Sequence, residues 1–129
     1  MHILWQIHQT VTIDGQRHVD RCNNFGNRGA GHIWCTFFGL VLWIAIFIKM
    51  LTDIFGYVDD SFSWEFVDKK TWYSPYHKLL PTKQTSLLKL FDELSVPHEE
   101  EKQLYGDILT IIGFDIDPNA MTITMPISP

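Results

Sequence analysis

The stretch Ile54-Phe55-Gly56-Tyr57-Val58-Asp59-Asp60-Ser61-Phe62-Ser63-Trp64-Glu65-Phe66 decides how the rest of the chain is read. Residues 54 to 58 are a short strand-like run, and residues 61 to 66 alternate polar and apolar with period two. The Asp59-Asp60 pair therefore falls where a hairpin turns. Two carboxylates held close together repel each other unless cations offset the charge. Two divalent ions roughly 3.5–4 Å apart would do so, and would favour in-line displacement at phosphorus. A solvated turn is the plain alternative for an isolated Asp-Asp, so the flanking segments must decide.

Upstream of the pair, residues 33 to 48 are apolar on every face and end at Lys49. The run falls slightly short of the about 20 residues that span a bilayer. A helix over 31–49, buried between a sheet and another layer, is the preferred reading. A membrane span is the alternative. Further upstream, residues 9–20 predict a hairpin around Asp14-Gly15, a favoured two-residue type I′ turn, so turn chemistry accounts for Asp14. Between hairpin and helix lies a loop rich in Gly and Asn, with Gly26, Gly29 and Gly31 in six residues. Glycines allow close backbone approach to a ligand, but no Gly-Lys-Ser/Thr follows, so the match to a phosphate loop is weak.

Downstream, residues 69–82 carry Pro75 and Pro81 and read as irregular. A second helix is expected over 83–94, with Leu87, Leu88, Phe91 and Leu94 on one face and Lys89, Asp92 and Glu93 opposite. Ser95-Val96-Pro97 ends it. Glu99, Glu100 and Glu101 point in different directions and read as a solvated run. By pattern alone residues 108–117 form one strand, Pro118-Asn119 a turn and residues 121–125 a second strand. Asp115 and Asp117 share one face of that strand, as its polar side. The order hairpin, helix, hairpin, helix, hairpin predicts an α+β domain, an antiparallel sheet with helices packed on one face.

Composition narrows the function classes. At 129 residues the chain fits one domain, and five Trp with nine Phe give it a high aromatic share. A net charge of −5 argues against a self-sufficient nucleic-acid binder. Lys69, Lys70, Lys78, Lys83 and Lys89 form a loose basic stretch that reads as solvated surface. Cys22 and Cys35 lack the close partners a zinc site needs, so both are expected as small packed hydrophobes in a reducing compartment. The six histidines are scattered and none is assigned a catalytic role. The N-terminus has no signal-peptide pattern, and an intracellular site, cytoplasm or nucleus, is expected.

Taken in order, four segments resemble the palm of reverse transcriptases, RNA-directed DNA polymerases, of retrotransposon type. Within a segment over 22–34, the run Phe25-Gly26-Asn27-Arg28-Gly29-Ala30-Gly31-His32-Ile33-Trp34 resembles the family's Phe-Gly-Leu-Arg-Ser-Ala-Pro segment before its palm helix. Tyr57-Val58-Asp59-Asp60 is similar to the Tyr-X-Asp-Asp catalytic hairpin. Leu94-Ser95-Val96-Pro97 followed by Glu101-Lys102 resembles the loop that carries a lysine near the incoming nucleotide. Residues 109–117 resemble the hairpin that positions the primer end. The likeness covers about residues 10 to 125.

The resemblance implies a partial right-hand polymerase palm whose family chemistry is RNA-templated transfer of deoxynucleotides to a primer. By it, Asp59 and Asp60 would bind Mg2+, and Lys102 would sit near the leaving pyrophosphate. Phe25, Gly26 and Tyr57 would contact nucleotide and template, while Gly113 and Phe114 would belong to the primer-positioning turn. The implied partners are an RNA or DNA template-primer, a deoxynucleoside triphosphate and the fingers and thumb, or a protein in their place, and not a membrane. Three departures stand out. Asn27, Gly29 and Gly31 replace the family's Leu, Ser and Pro. The family's upstream metal-binding aspartate has no counterpart, since Met1 to Gln9 contain neither Asp nor Glu. Fingers and thumb are not represented. A truncated palm that does not polymerise alone is the expectation; a domesticated non-catalytic binding module and a small membrane protein built on 33–48 are the alternatives.

Overall fold

The longest apolar run forms the longest helix. In the computed structural model, which describes Leu4, residues 10–19 and residues 28–127, helix α1 spans Ala30–Trp43 and continues as a π-helical segment over Ile44–Ile48. The wider turn closes through Lys49 N–H donating to the Ile44 carbonyl at 3.0 Å and Leu51 N–H to that of Ala45 at 2.9 Å. The second helix, α2 (Thr82–Glu93), begins directly after Pro81. Its C-terminus is a Schellman closure. Ser95 takes a left-handed φ of 57°, its N–H donates to the Asp92 carbonyl, and Val96 N–H donates to Phe91 at 2.8 Å.

Helix α2 lies at the centre of what is buried. On one side, Leu87 and Leu90 pack with Phe38, Val41 and Ala45 of the α1 segment. On the other, Leu88 packs with Tyr73 and Leu80. Phe91 touches both clusters from the helix face between them. These contacts follow from the 3.6-residue spacing of leucines that predicted the helix.

Among the described residues the strands are all antiparallel but divide into four small sheets rather than one. β1 (Thr10–Ile13) and β2 (Gln16–Val19) pair across Asp14-Gly15, both at positive φ, as the turn residues predict. β3 (Phe55–Tyr57) pairs with β4 (Asp60–Phe62), and β5 (Lys70–Tyr73) with β6 (Lys78–Pro81). β7 (Leu109–Ile111), β8 (Phe114–Asp117) and β9 (Thr122–Thr124) form a three-stranded meander. The fold is α+β, and the expected single sheet is replaced by separate ribbons that each pack locally.

Several expectations change with this arrangement. α1 is not sandwiched: Phe38, Val41 and Ala45 are buried, but Ile33, Phe37, Leu40, Trp43 and Phe47 are exposed. Among the described residues, helix α2 and the β3–β4 ribbon cover part of the helix and leave the rest bare. By length and composition Ala30–Ile48 could cross a membrane. Cys35 lies on the bare side and is exposed rather than packed; Cys22 lies outside the described residues. The segment 69–82 is an ordered hairpin, because Pro75 sits in a 3-10 turn (Ser74–Tyr76), where a missing N–H is harmless, and Pro81 precedes a helix. The strand expected over 108–117 is broken at Ile112-Gly113, whose positive φ values of 52° and 80° make a two-residue hairpin turn.

Candidate functional site

The Asp-Asp hairpin is built on one stripe of α1. Trp34, Phe38 and Leu42 recur every four residues and so share a face. Trp34 and Phe38 stack at 5.6 Å, and the Trp34 indole N–H donates to the Val58 carbonyl at 2.8 Å. Gly56 rests on the same stripe. A Cβ there would stand 2.4 Å from Leu42 Cδ1 and 3.4 Å from Phe38 Cε1, so the close approach needs a glycine unless Leu42 swings away. Across the ribbon Phe55 pairs with Phe62, their rings 5.8 Å apart, and Tyr57 pairs with Asp60.

Val58 and Asp59 make the turn. Val58 has φ 53° while Asp59 is not among the positive-φ residues, the pattern of a type II′ turn, whose first position usually holds glycine. A β-branched residue there stores strain of order 1–3 kcal/mol. The Trp34 hydrogen bond anchors the strained residue. Asp59 and Asp60 are both exposed, and their carboxylates have no hydrogen bond or ion pair among the described residues. No group of three or more His, Cys, Asp or Glu side chains is close enough to hold a metal among the described residues. Two adjacent carboxylates without a third donor do not complete a two-metal site, so the residues present do not by themselves fit a pair of Mg2+ ions.

The other residues singled out by sequence are dispersed. Tyr57 is exposed beside Asp60. Lys102 ends a 3-10 turn (Glu100–Lys102) and pairs with Glu99 at 3.3 Å, and nothing among the described residues ties it to Asp59. Gly113 is the second residue of the β7–β8 turn, and Phe114 opens β8 with its ring exposed. Phe25 and Gly26 lie outside the described residues. Asp115 accepts from Thr110 Oγ1 at 2.5 Å, and Asp117 accepts from the N–H groups of Asn119 and Ala120 at 2.9 and 3.0 Å. Both carboxylates are thus used in local turn and cross-strand bonds, as their polar-face reading requires.

A second polar constellation joins the β5–β6 hairpin to α2. Tyr73 is fully buried, and its hydroxyl donates to Asp92 Oδ2 at 2.5 Å. His98 Nε2 meets Asp92 Oδ1 at 2.7 Å, and the Tyr76 hydroxyl meets His98 Nδ1. With the ring proton on Nε2, each contact has a donor and an acceptor. Burial pushes the Tyr73 phenol far above its usual range, with the bond to Asp92 and that carboxylate's charge adding to the effect. Burial, then the Asp92 charge, also raises Tyr76. The Tyr73 bond holds the Asp92 carboxyl below its ordinary value, with His98 helping and desolvation opposing. Two neutral phenols and a committed carboxylate make a structural latch rather than an acid–base pair poised near neutrality. Its hydrogen-bonded partners lie 6 to 25 positions apart and carry no spacing signal that could have announced them.

Comparison of the chain with protein-family models, with curated proteins and with solved structures returns no match.

Proposed function

We propose that this chain is a fragment of a reverse transcriptase palm whose Asp59-Asp60 pair supplies part, but not all, of a metal site. The observation that carries the reading is the Tyr57-Val58-Asp59-Asp60 turn. Two carboxylates, unpartnered among the described residues, sit on a strained two-residue hairpin seated through Gly56 and Trp34 on the apolar helix that precedes it. Strain and uncompensated like charge tend to persist where a ligand uses them. The order of the Phe-Gly, Tyr-Val-Asp-Asp, Leu-Ser-Val-Pro and Gly113-Phe114 segments supports the same reading. A third carboxylate would have to come from elsewhere, and these 129 residues do not extend a primer by themselves. Purified chain with template-primer, deoxynucleotides and Mg2+ is expected to give no extension. Magnesium-dependent incorporation that disappears in Asp59→Asn would overturn the inactivity.

One observation favours a second reading, in which the chain is a small membrane protein. The exposed apolar side of Ala30–Ile48 is what a bilayer would cover. Retention of the expressed chain in carbonate-washed membranes would establish this reading, and release into the soluble fraction would exclude it.

A further inference from the structure

The side of α1 that α2 and the β3–β4 hairpin leave uncovered among the described residues is an apolar stripe. Ile33, Phe37, Leu40 and Ile44 recur along it at spacings of four, three and four, and Trp43 and Phe47 widen it. Ile44 is half-buried, whereas Ile33, Leu40 and Phe47 are 52, 56 and 64% exposed. No Asp, Glu, Lys or Arg occurs from Ala30 to Ile48, and the Thr36 hydroxyl donates to the His32 carbonyl at 2.8 Å. The stripe thus confronts a partner with no charge and no unmet hydroxyl donor.

At about 200 Å² for a large side chain, the exposed fractions of Ile33, Phe37, Leu40, Trp43, Phe47 and Ile48 amount to roughly 600 Å². That stands at the upper end of the about 300–600 Å² of the largest apolar patch on a typical monomer. Doubled across a two-fold axis it gives about 1,200 Å², where specific, stable interfaces begin.

A helix suits the stripe better than a bilayer does. On the covered side, Phe38, Val41 and Ala45 pack with Leu87 and Leu90 of α2, and Trp34 holds the hairpin that carries Asp59 and Asp60. A spanning α1 would have to shed those contacts or draw two aspartates towards hydrocarbon, whereas a partner helix needs only the bare side. A copy of the same helix suits it best. The four-three-four spacing reads the same in both directions, so an antiparallel copy meets it in register. Ile33 then faces the partner's Ile44, and Phe37 faces the partner's Leu40.

We propose that the bare stripe of α1 is a self-association surface through which two copies of the chain form a two-fold dimer, helix against antiparallel helix. The contact requires neither metal nor nucleic acid, so it stands apart from the polymerase reading and competes only with the membrane one.

The test is sedimentation equilibrium of the full chain in detergent-free buffer, with flotation on phosphatidylcholine vesicles alongside. A species of twice the chain mass that stays out of the vesicle fraction is expected. Leu40→Lys sets like charges close together across the axis and should weaken the dimer roughly 100-fold or more. Leu40→Ala, which adds no charge, should weaken it roughly 10-fold, and Leu40→Met should leave it intact. Position 40 lies outside both buried clusters, so near-ultraviolet circular dichroism of Leu40→Ala should still report a folded chain. Ile123→Lys, at a 70% exposed site on β9, should dimerise like the wild type. The proposal is overturned by a monomer at every concentration, or by a mass that grows without closing at two chains. It is equally overturned by a dimer that Leu40→Lys and Leu40→Ala leave intact, or that Ile123→Lys alone dissolves. Wild-type chain floating with the vesicles would overturn it too, and would assign the stripe to lipid.

Discussion

Tyr73 and Asp59 belong to hairpins of similar size, one at the end of β5 and the other in the turn after β3, yet their surroundings are opposite. Around Tyr73 the apolar groups are packed, with Leu80 and Leu88 almost wholly buried, and the polar atoms are satisfied by Asp92 and His98. Around Asp59 the strands are exposed, the turn residue Val58 is strained, and two carboxylates stand without a partner among the described residues. The β5–β6 hairpin contributes to stability. The β3–β4 hairpin costs stability locally and is held by a glycine contact and one indole hydrogen bond. That asymmetry is expected when one region serves the fold and the other serves a ligand.

The comparison breaks first if the core cost is not where it is drawn. Leu88→Ala, at 2% exposure against Tyr73 and Leu80, should destabilise by about 2–5 kcal/mol in urea unfolding. Phe55→Ala on the half-exposed ribbon should cost about 1 kcal/mol. Equal costs would remove the distinction.

Next in size is the latch. Tyr73→Phe leaves a charged acceptor short of its donor and should cost about 1.5–3 kcal/mol. The pH dependence has a definite sign. Because the folded Tyr73 phenol is raised above the unfolded value of about 10, its contribution is complete below that pH and is lost as pH climbs towards the folded value. Asp92 acts oppositely: its lowered carboxyl stabilises above about pH 4, and that contribution is lost as pH falls through the folded value. The acid-side effect is the smaller, since the Asp92 side chain is 46% exposed. Thermal melts across pH should show the alkaline loss in the wild type and a weaker one in Tyr73→Phe.

Relief of strain sharpens the contrast from the other side. Val58→Gly should stabilise by about 1 kcal/mol, the released strain less the entropy a glycine adds to the unfolded chain. Smallest is Ser95→Gly at the α2 Schellman closure, where glycine fits the left-handed φ better, for about 0.5 kcal/mol in thermal denaturation. A destabilised Val58→Gly would mean that the turn is not strained.

What could be read in advance was local. Asp14-Gly15 announced its hairpin through turn chemistry, α2 announced itself through leucine periodicity, and Asp59-Asp60 marked a turn between two strand-like runs. Prolines misled at 69–82, because Pro75 and Pro81 occupy the positions of a 3-10 turn and a helix start where proline is tolerated. Pattern alone missed the β7–β8 turn because β-branched Ile112 takes a left-handed conformation, whereas the resemblance had a hairpin over 109–117 with Gly113 in its turn. The bare side of α1 and the Tyr73–Asp92–His98–Tyr76 latch depend on which surfaces meet in space. No pattern along the chain specifies that.

The most direct test of the central claim is Mn2+ binding, followed by paramagnetic broadening of backbone amides, with Mn2+ standing in for Mg2+ at oxygen ligands. If Asp59 and Asp60 are part of a metal site, the amides of Val58, Asp59, Asp60 and Ser61 broaden first, at metal concentrations on the order of millimolar for so few ligands. Asp59→Asn should remove that preference. Broadening led by Glu99, Glu100 and Glu101, with the Tyr57–Asp60 turn unaffected, would contradict the account.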